Sequence, residues 1–99
     1  MCPRSPMARK LLSPEAIASR LRTLTGWTLR EKRVERSWEF KDFREALTFI
    51  NRVGELAEAA DHHPDIRNSW NKVVLSLTTH DRGGLTDRDF ELAEQINRL

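Results

Sequence analysis

The sequence predicts a two-layer α+β domain: a four-stranded antiparallel sheet with helices packed on one face, in the order α-β-β-α-β-β-α. Three observations carry this. Helix-start signals occur three times, each followed by apolar residues at helical spacing. Period-two runs arrive in adjacent pairs between those helices, which favours antiparallel pairing over crossover connections. The 99 residues suit one domain with a single modest core.

Residues 1–12 contain two prolines and no apolar periodicity and are read as a flexible N-terminal arm, leaving residues 13–99 as the domain. Ser13 is a helix N-cap with Pro14 at the first helical position. Ile17, Leu21 and Leu24 then share one face, and Gly26 supplies the stop. A hairpin follows. Trp27 and Leu29 alternate on one side, Glu31-Lys32-Arg33 forms a charged turn, and Val34, Arg36, Trp38 and Phe40 continue with period two. Asp42 with Glu45 reads as a capping box opening the longest helix, with Phe43, Ala46, Leu47, Ile50, Val53, Ala57 and Ala60 on its apolar stripe. Pro64 forces that helix to end around His62 or His63.

Asn68 to His80 then reads as a strand, with Val73, Leu75 and Leu77 pointing toward the helices. Gly83-Gly84 permits a sharp return into a short fourth strand through Leu85. Thr86 and Asp89 form a second capping box, opening a last helix with Leu92, Ala93, Ile96 and Leu99 inward. Trp38 and Val74 are placed on the open sheet face, which makes a homo-oligomer an expectation.

Composition narrows the function classes. An apolar fraction of 38% and a charged fraction of 32% describe an ordinary globular chain. No apolar run approaches the roughly 20 residues of a membrane span. The first twelve residues lack the hydrophobic stretch of a signal peptide, and Cys2 is the single cysteine, so a reducing cytoplasmic setting is the default. A net charge of +2 with acids and bases interleaved argues against direct nucleic-acid binding, and the missing apolar span argues against a membrane partner.

The three histidines sit at element borders: His62 and His63 at a helix end, His80 at the end of the strand-like run. Imidazole exchanges protons near neutrality, so a cluster here suits general acid–base chemistry. Glu58, one turn before His62, can hydrogen-bond one ring nitrogen and fix its tautomer. Each residue also has a plain structural reading: Glu58 and His62 as a surface helical pair, Asp89 as a capping acid, Trp70 as core. A metal site from His62, His80 and a carboxylate is the competing chemical reading. Adjacent histidines on a helix rarely aim at one ion, and no second helical-spaced histidine is present.

Glu58, then His62-His63-Pro64, five residues to Trp70, nine to His80 and eight to Asp89 together resemble the signature of the pterin-4a-carbinolamine dehydratases, the 4a-hydroxytetrahydrobiopterin dehydratases. Asn71-Lys72-Val73, Thr78-Thr79-His80 and Gly84-Leu85-Thr86 with Arg88-Asp89 are similar as well, so the resemblance covers all but the arm. It implies a hydro-lyase that dehydrates 4a-hydroxytetrahydropterin to quinonoid dihydropterin in the recycling of tetrahydrobiopterin, with no metal or organic cofactor. It implies His62 and His80 as the acid–base pair, His63 assisting, Glu58 orienting His62, and Pro64, Trp70 and Asp89 shaping or anchoring the site. Two departures stand out: Ile66 where many animal members have tryptophan, and Trp70 where tyrosine is common. Some animal members also serve as a dimerisation cofactor for a transcription factor, which supplies a non-catalytic alternative. The family offers both dimers and tetramers.

Overall fold

The computed structural model describes residues 11–99. The expected arm therefore lies outside the described residues over positions 1–10. Leu12, within the same expected arm, donates its backbone N–H to the Leu85 carbonyl at 2.9 Å.

Helix α1 (Pro14–Arg22) starts as its sequence requires: Ser13 Oγ accepts the Ala16 N–H at 3.1 Å, and Pro14 fills the first helical position. Gly26 lies beyond its end at φ +90°, and a Cβ there would come within 2.6 Å of Arg36 Nε. The conformation favours glycine at this position, and a side chain would in addition have to displace the Arg36 guanidinium.

Strands β1 (Thr28–Arg30) and β2 (Arg33–Glu39) form the expected hairpin, turned through Glu31 at φ +55°. Helix α2 (Phe43–Ala60) is capped by Asp42, whose Oδ1 accepts the Glu45 N–H at 2.9 Å. The return bond of the capping box shifts by one residue, because Glu45 Oε1 accepts from Lys41 N–H. Strands β3 (Asp65–Ser69) and β4 (Lys72–Leu77) and helix α3 (Asp87–Asn97) complete the domain. All pairings are antiparallel, and the strand order is β1-β2-β4-β3.

The element order is the expected one, but the last two strands are drawn differently. The run expected as one strand from Asn68 to His80 is broken into a hairpin at Trp70, which adopts φ +53°. Asn68 Nδ2 donates to the Trp70 and Lys72 carbonyls and closes that turn, the work that glycine performs in a more legible hairpin. The short strand expected near Leu85 reduces to one bridge between Thr79 and Gly84. His80 lies in a single 3-10 turn (His80–Arg82) that ends at Gly83, φ +72°.

Between sheet and helices, Val34, Val73, Leu75 and Leu77 meet Ala46, Phe49 and Val53 of α2 and Phe90, Leu92, Ala93 and Ile96 of α3. Trp38 belongs to this side as well, packed edge-on against Trp27 (5.8 Å between centroids) and tilted against Phe49 (4.8 Å). Its expected place on the open face is thus corrected. Cross-strand partners share a face, and Trp38 is paired with the buried Val73. The open face instead carries charges, with Arg33 reaching Asp65 and Ser76, and Arg30 and Arg67 flanking Glu35. On α2 the buried line is Ala46, Phe49, Val53 and Ala57, while Phe43 and Leu47 stay exposed on its flank.

Leu75, expected to face the helices, is fully buried, whereas Leu29 on the short edge strand is 42% exposed although it pairs with the buried Val34. Leu75→Ala should lower the unfolding free energy by about 2–5 kcal/mol. Leu29→Ala should stay within about 0.5 kcal/mol of the parent. Urea titration of the two variants checks the contrast.

Candidate functional site

The end of α2 sets the site. Its chain turns at Asp61, which adopts the left-handed conformation (φ 52°, ψ 43°). Asp61 N–H bonds the Glu58 carbonyl at 3.2 Å, and His62 N–H bonds the Ala57 carbonyl at 3.1 Å, the reciprocal pair of a Schellman turn. A non-glycine residue held there costs about 1–2 kcal/mol. Arg88, from the first turn of α3, donates Nη2 to the Ala60 and Asp61 carbonyls at 2.8 and 2.6 Å. The carbonyls that helix ends leave open are thereby tied to the next helix. This turn sends His62 inward and His63 outward.

His62 is 8% exposed, and its Nε2–H donates to Asp89 Oδ1 at 2.6 Å. Asp89 is fully buried, so its carboxylate needs a full set of donors. It has them. Oδ2 accepts from Thr79 Oγ1–H at 2.8 Å and from the Thr86 backbone N–H at 2.9 Å. One residue is thus both the capping-box acid of α3 and the partner of a histidine at the end of α2.

His63 lies outside this buried core, with Nε2 at 2.6 Å from Glu58 Oε2. Both side chains are more than half exposed, so the pair is weakly held. The expected pairing of Glu58 with His62 is therefore corrected. The turn at Asp61 rotates His62 off the helical face that Glu58 occupies, and His63 takes the bond instead.

The three histidines come together. His62, His63 and His80 line one pocket of about 290 Å³ with Asp61, Thr78, Asp81 and Arg88. That volume stands near the lower end of the ~300–1,000 Å³ typical of small-molecule sites. Asp89 stands behind this wall, reaching the pocket through His62. Pro64 is half-buried in the link from His63 into β3. Trp70 is not among the walls: it is 67% exposed at the tip of the β3–β4 hairpin, whereas the pocket lies at the far end of β4. Ile66 is exposed on β3. Among the described residues, no set of three or more His, Cys, Asp and Glu side chains is arranged to hold a metal ion.

Sequence reasoning assigned no role to Arg88, Asp61 or Thr79. Arg88 and Thr79 stand in the stretches that carried the resemblance, but no local spacing rule links either to a histidine. Their partners come from helix α2 and helix α3, which only the fold brings near.

Residues 10–99 match the family model described as Pterin 4 alpha carbinolamine dehydratase. A protein of Acidobacterium capsulatum carrying the name pterin-4-alpha-carbinolamine dehydratase is 52% identical over 88 residues, spanning 89% of this chain and 96% of its own. A Nostoc protein with the same name is 49% identical over 90 residues, spanning 91% and 97%. Among solved structures, a Brucella melitensis protein described as a transcriptional coactivator/pterin dehydratase superposes with a TM-score of 0.86. It is 34% identical and covers 90% of this chain and 97% of its own. Among the described residues no helix is long and apolar enough to cross a membrane.

Asp89→Asn exchanges a buried acceptor for an amide that cannot match three donors. It should lower stability by about 1–3 kcal/mol, while Glu58→Gln at the exposed pair stays within about 0.5 kcal/mol. Chemical denaturation of the two variants under one buffer gives the comparison.

Proposed function

The chain belongs to the pterin 4 alpha carbinolamine dehydratase family, and from that membership we propose a hydro-lyase acting on 4a-hydroxytetrahydropterin, biopterin in the first instance. The reaction removes the hydroxyl from C4a and the proton from N5, giving water and a quinonoid dihydropterin with a C4a=N5 double bond. The leaving hydroxyl needs a proton as its bond to C4a breaks, and N5 needs an acceptor for the proton it gives up. Two proton-carrying groups must therefore stand beside one small edge of the substrate.

The observation that carries this reading is the convergence of His62, His63 and His80 on one pocket of about 290 Å³. His62 and His80 are the proposed acid–base pair, in either order. His62 is fixed by a buried carboxylate, whereas His80 is exposed on its 3-10 turn and free to follow the hydroxyl. His63, steadied by Glu58, assists or contacts the pterin. Asp89 acts through His62, and Pro64 fixes the link that carries His63 away from α2. Trp70 is assigned the turn of its hairpin and no contact with the pterin in the same chain.

The product is an oxidised pterin that a reductase must restore, so the proposal places the chain in the recycling of tetrahydrobiopterin, in the cytoplasm. A homo-oligomer, dimer or tetramer, is part of the reading. Phe43 and Leu47 expose apolar area on α2, and β3 offers an unpaired edge. A single monomer-sized boundary in sedimentation at micromolar concentration would remove it. The coactivator description of the Brucella structure favours a second reading as a non-catalytic binding partner of a transcription factor. Capture of a DNA-binding protein undiminished by loss of all three histidines, with no dehydratase turnover in the parent, would select that reading.

The direct test follows dehydration of enzymatically generated 4a-carbinolamine by stopped-flow ultraviolet absorbance. His62→Ala and His80→Ala should each lower kcat by about 10²–10⁴-fold, the usual weight of a positioned acid or base. Turnover of both variants within twofold of the parent sinks the acid–base assignment.

A further inference from the structure

We propose that Thr79 is a positioning residue for His62: its hydroxyl sets the Asp89 carboxylate, which holds His62 with the proton on Nε2 and gives Nδ1 to the pocket. The inference rests on the acid–base reading of the same pocket and names which ring nitrogen works and what holds it there.

The buried hydrogen bonds run in one direction. The Asp89 carboxylate can only accept, so Thr79 must spend its single hydroxyl proton on Oδ2, at 2.8 Å. Thr79 Oγ1 then has only lone pairs to offer Thr86 Oγ1 at 2.8 Å, and Thr86 is the donor of that bond. Thr86 Oγ1 in turn accepts the Arg88 backbone N–H at 3.3 Å. From the first turn of α3 the donors point through Thr86 and Thr79 to Asp89, where the carboxylate passes the constraint to His62 Nε2–H through Oδ1. Thr79, Thr86 and Asp89 are each no more than 1% exposed, so water is not at hand to replace a missing partner.

Both oxygens of Asp89 are needed for the effect. With Oδ2 pinned by Thr79 and by the Thr86 N–H, Oδ1 is aimed at His62, and the imidazole is confined to one tautomer and one orientation. Nε2 is committed, so Nδ1 is the nitrogen left for the pocket that His62 lines. Thr79 also anchors the neighbouring histidine through its backbone. Its carbonyl accepts the N–H groups of Arg82, Gly83 and Gly84, and its N–H bonds the Gly84 carbonyl at 2.9 Å. His80 leaves the chain at the next position. A side-chain substitution that spares these backbone bonds therefore separates the two roles.

Thr79→Val keeps the shape and removes the hydroxyl; Thr79→Ser keeps the hydroxyl and removes a methyl. Long-range ¹⁵N–¹H spectra of the imidazole rings read the tautomer without any substrate. The parent and Thr79→Ser should show His62 with two well-separated nitrogen signals, Nε2 protonated and Nδ1 bare near neutral-form conditions. Thr79→Val should move them toward an averaged pair. In the turnover assay Thr79→Val should lower kcat by about 10–100-fold with KM little changed, as for other groups that orient a functional histidine, and Thr79→Ser should restore most of it. An unchanged His62 pattern in Thr79→Val overturns the inference whatever the turnover. The expected spectra with no dehydratase activity in the parent would instead leave the positioning intact and overturn the enzymatic reading. Should Thr79→Val fail to fold, the parent alone decides. A Thr79 hydroxyl proton slow to exchange and close to the Thr86 amide proton by nuclear Overhauser effect supports the arrangement, and its absence refutes it.

Discussion

The hydrogen bond between His62 Nε2 and Asp89 Oδ1 is the constraint on which the site depends, because it joins the end of one helix to the start of another across 27 residues. A buried carboxylate is stable only when its lone pairs are met. Meeting them here requires α2 to stop at Asp61, β4 to deliver Thr79, and α3 to begin at Thr86. Displacing any one of the three leaves the acid one donor short. The fold and the candidate chemistry thus share one set of bonds, and the histidine that is hardest to move is the one the carboxylate holds.

The other two histidines are placed under weaker terms. His63 has a partner in Glu58, but the pair is open to water and its strength is correspondingly small. His80 is exposed on a single 3-10 turn whose end requires a left-handed glycine. A fixed imidazole beside exposed ones suits a reaction in which one proton site must be aimed in advance while another follows a departing hydroxyl. Arg88, itself part of the pocket wall, serves this layout by closing the last carbonyls of α2, so the helix end stays where Asp61 has turned it.

Backbone conformations that side chains disfavour occur at Glu31, Asp61 and Trp70. Glu31 and Trp70 each turn a hairpin, and Asp61 directs His62 into the pocket. Strain of this kind persists where surrounding bonds over-determine it. At Asp61 the Schellman pair and Arg88 do so, and at Trp70 the Asn68 amide does. None of the three carries the glycine that would have announced a turn in the sequence.

Element order, three of the helix starts and the inward line of β4 were legible from the sequence alone. Capping bonds and alternation act over two to four residues, so Ser13, Asp42, Thr86 and Val73-Leu75-Leu77 declare themselves locally. The end of α2 ahead of Pro64 was legible because proline cannot continue a helix, although the helix stops at Ala60, before His62, and His80 stands on a 3-10 turn past β4 rather than at a strand end. The family signature followed from the histidine spacing. The Trp70 turn was missed because its closure comes from an asparagine side chain rather than from glycine or proline. The helix-side packing of Trp38 was missed because period two gives alternation without saying which face is covered.

What tertiary structure alone decided is which carboxylate serves which histidine. Helical spacing paired Glu58 with His62, since residues four apart share a face while the helix continues. The helix does not continue: it turns left-handed at Asp61, gives Glu58 to His63, and leaves His62 to an acid 27 residues away. Local rules fix where a chain bends and which way it alternates. A bond between distant residues depends on how whole elements pack, and no window along the sequence contains it.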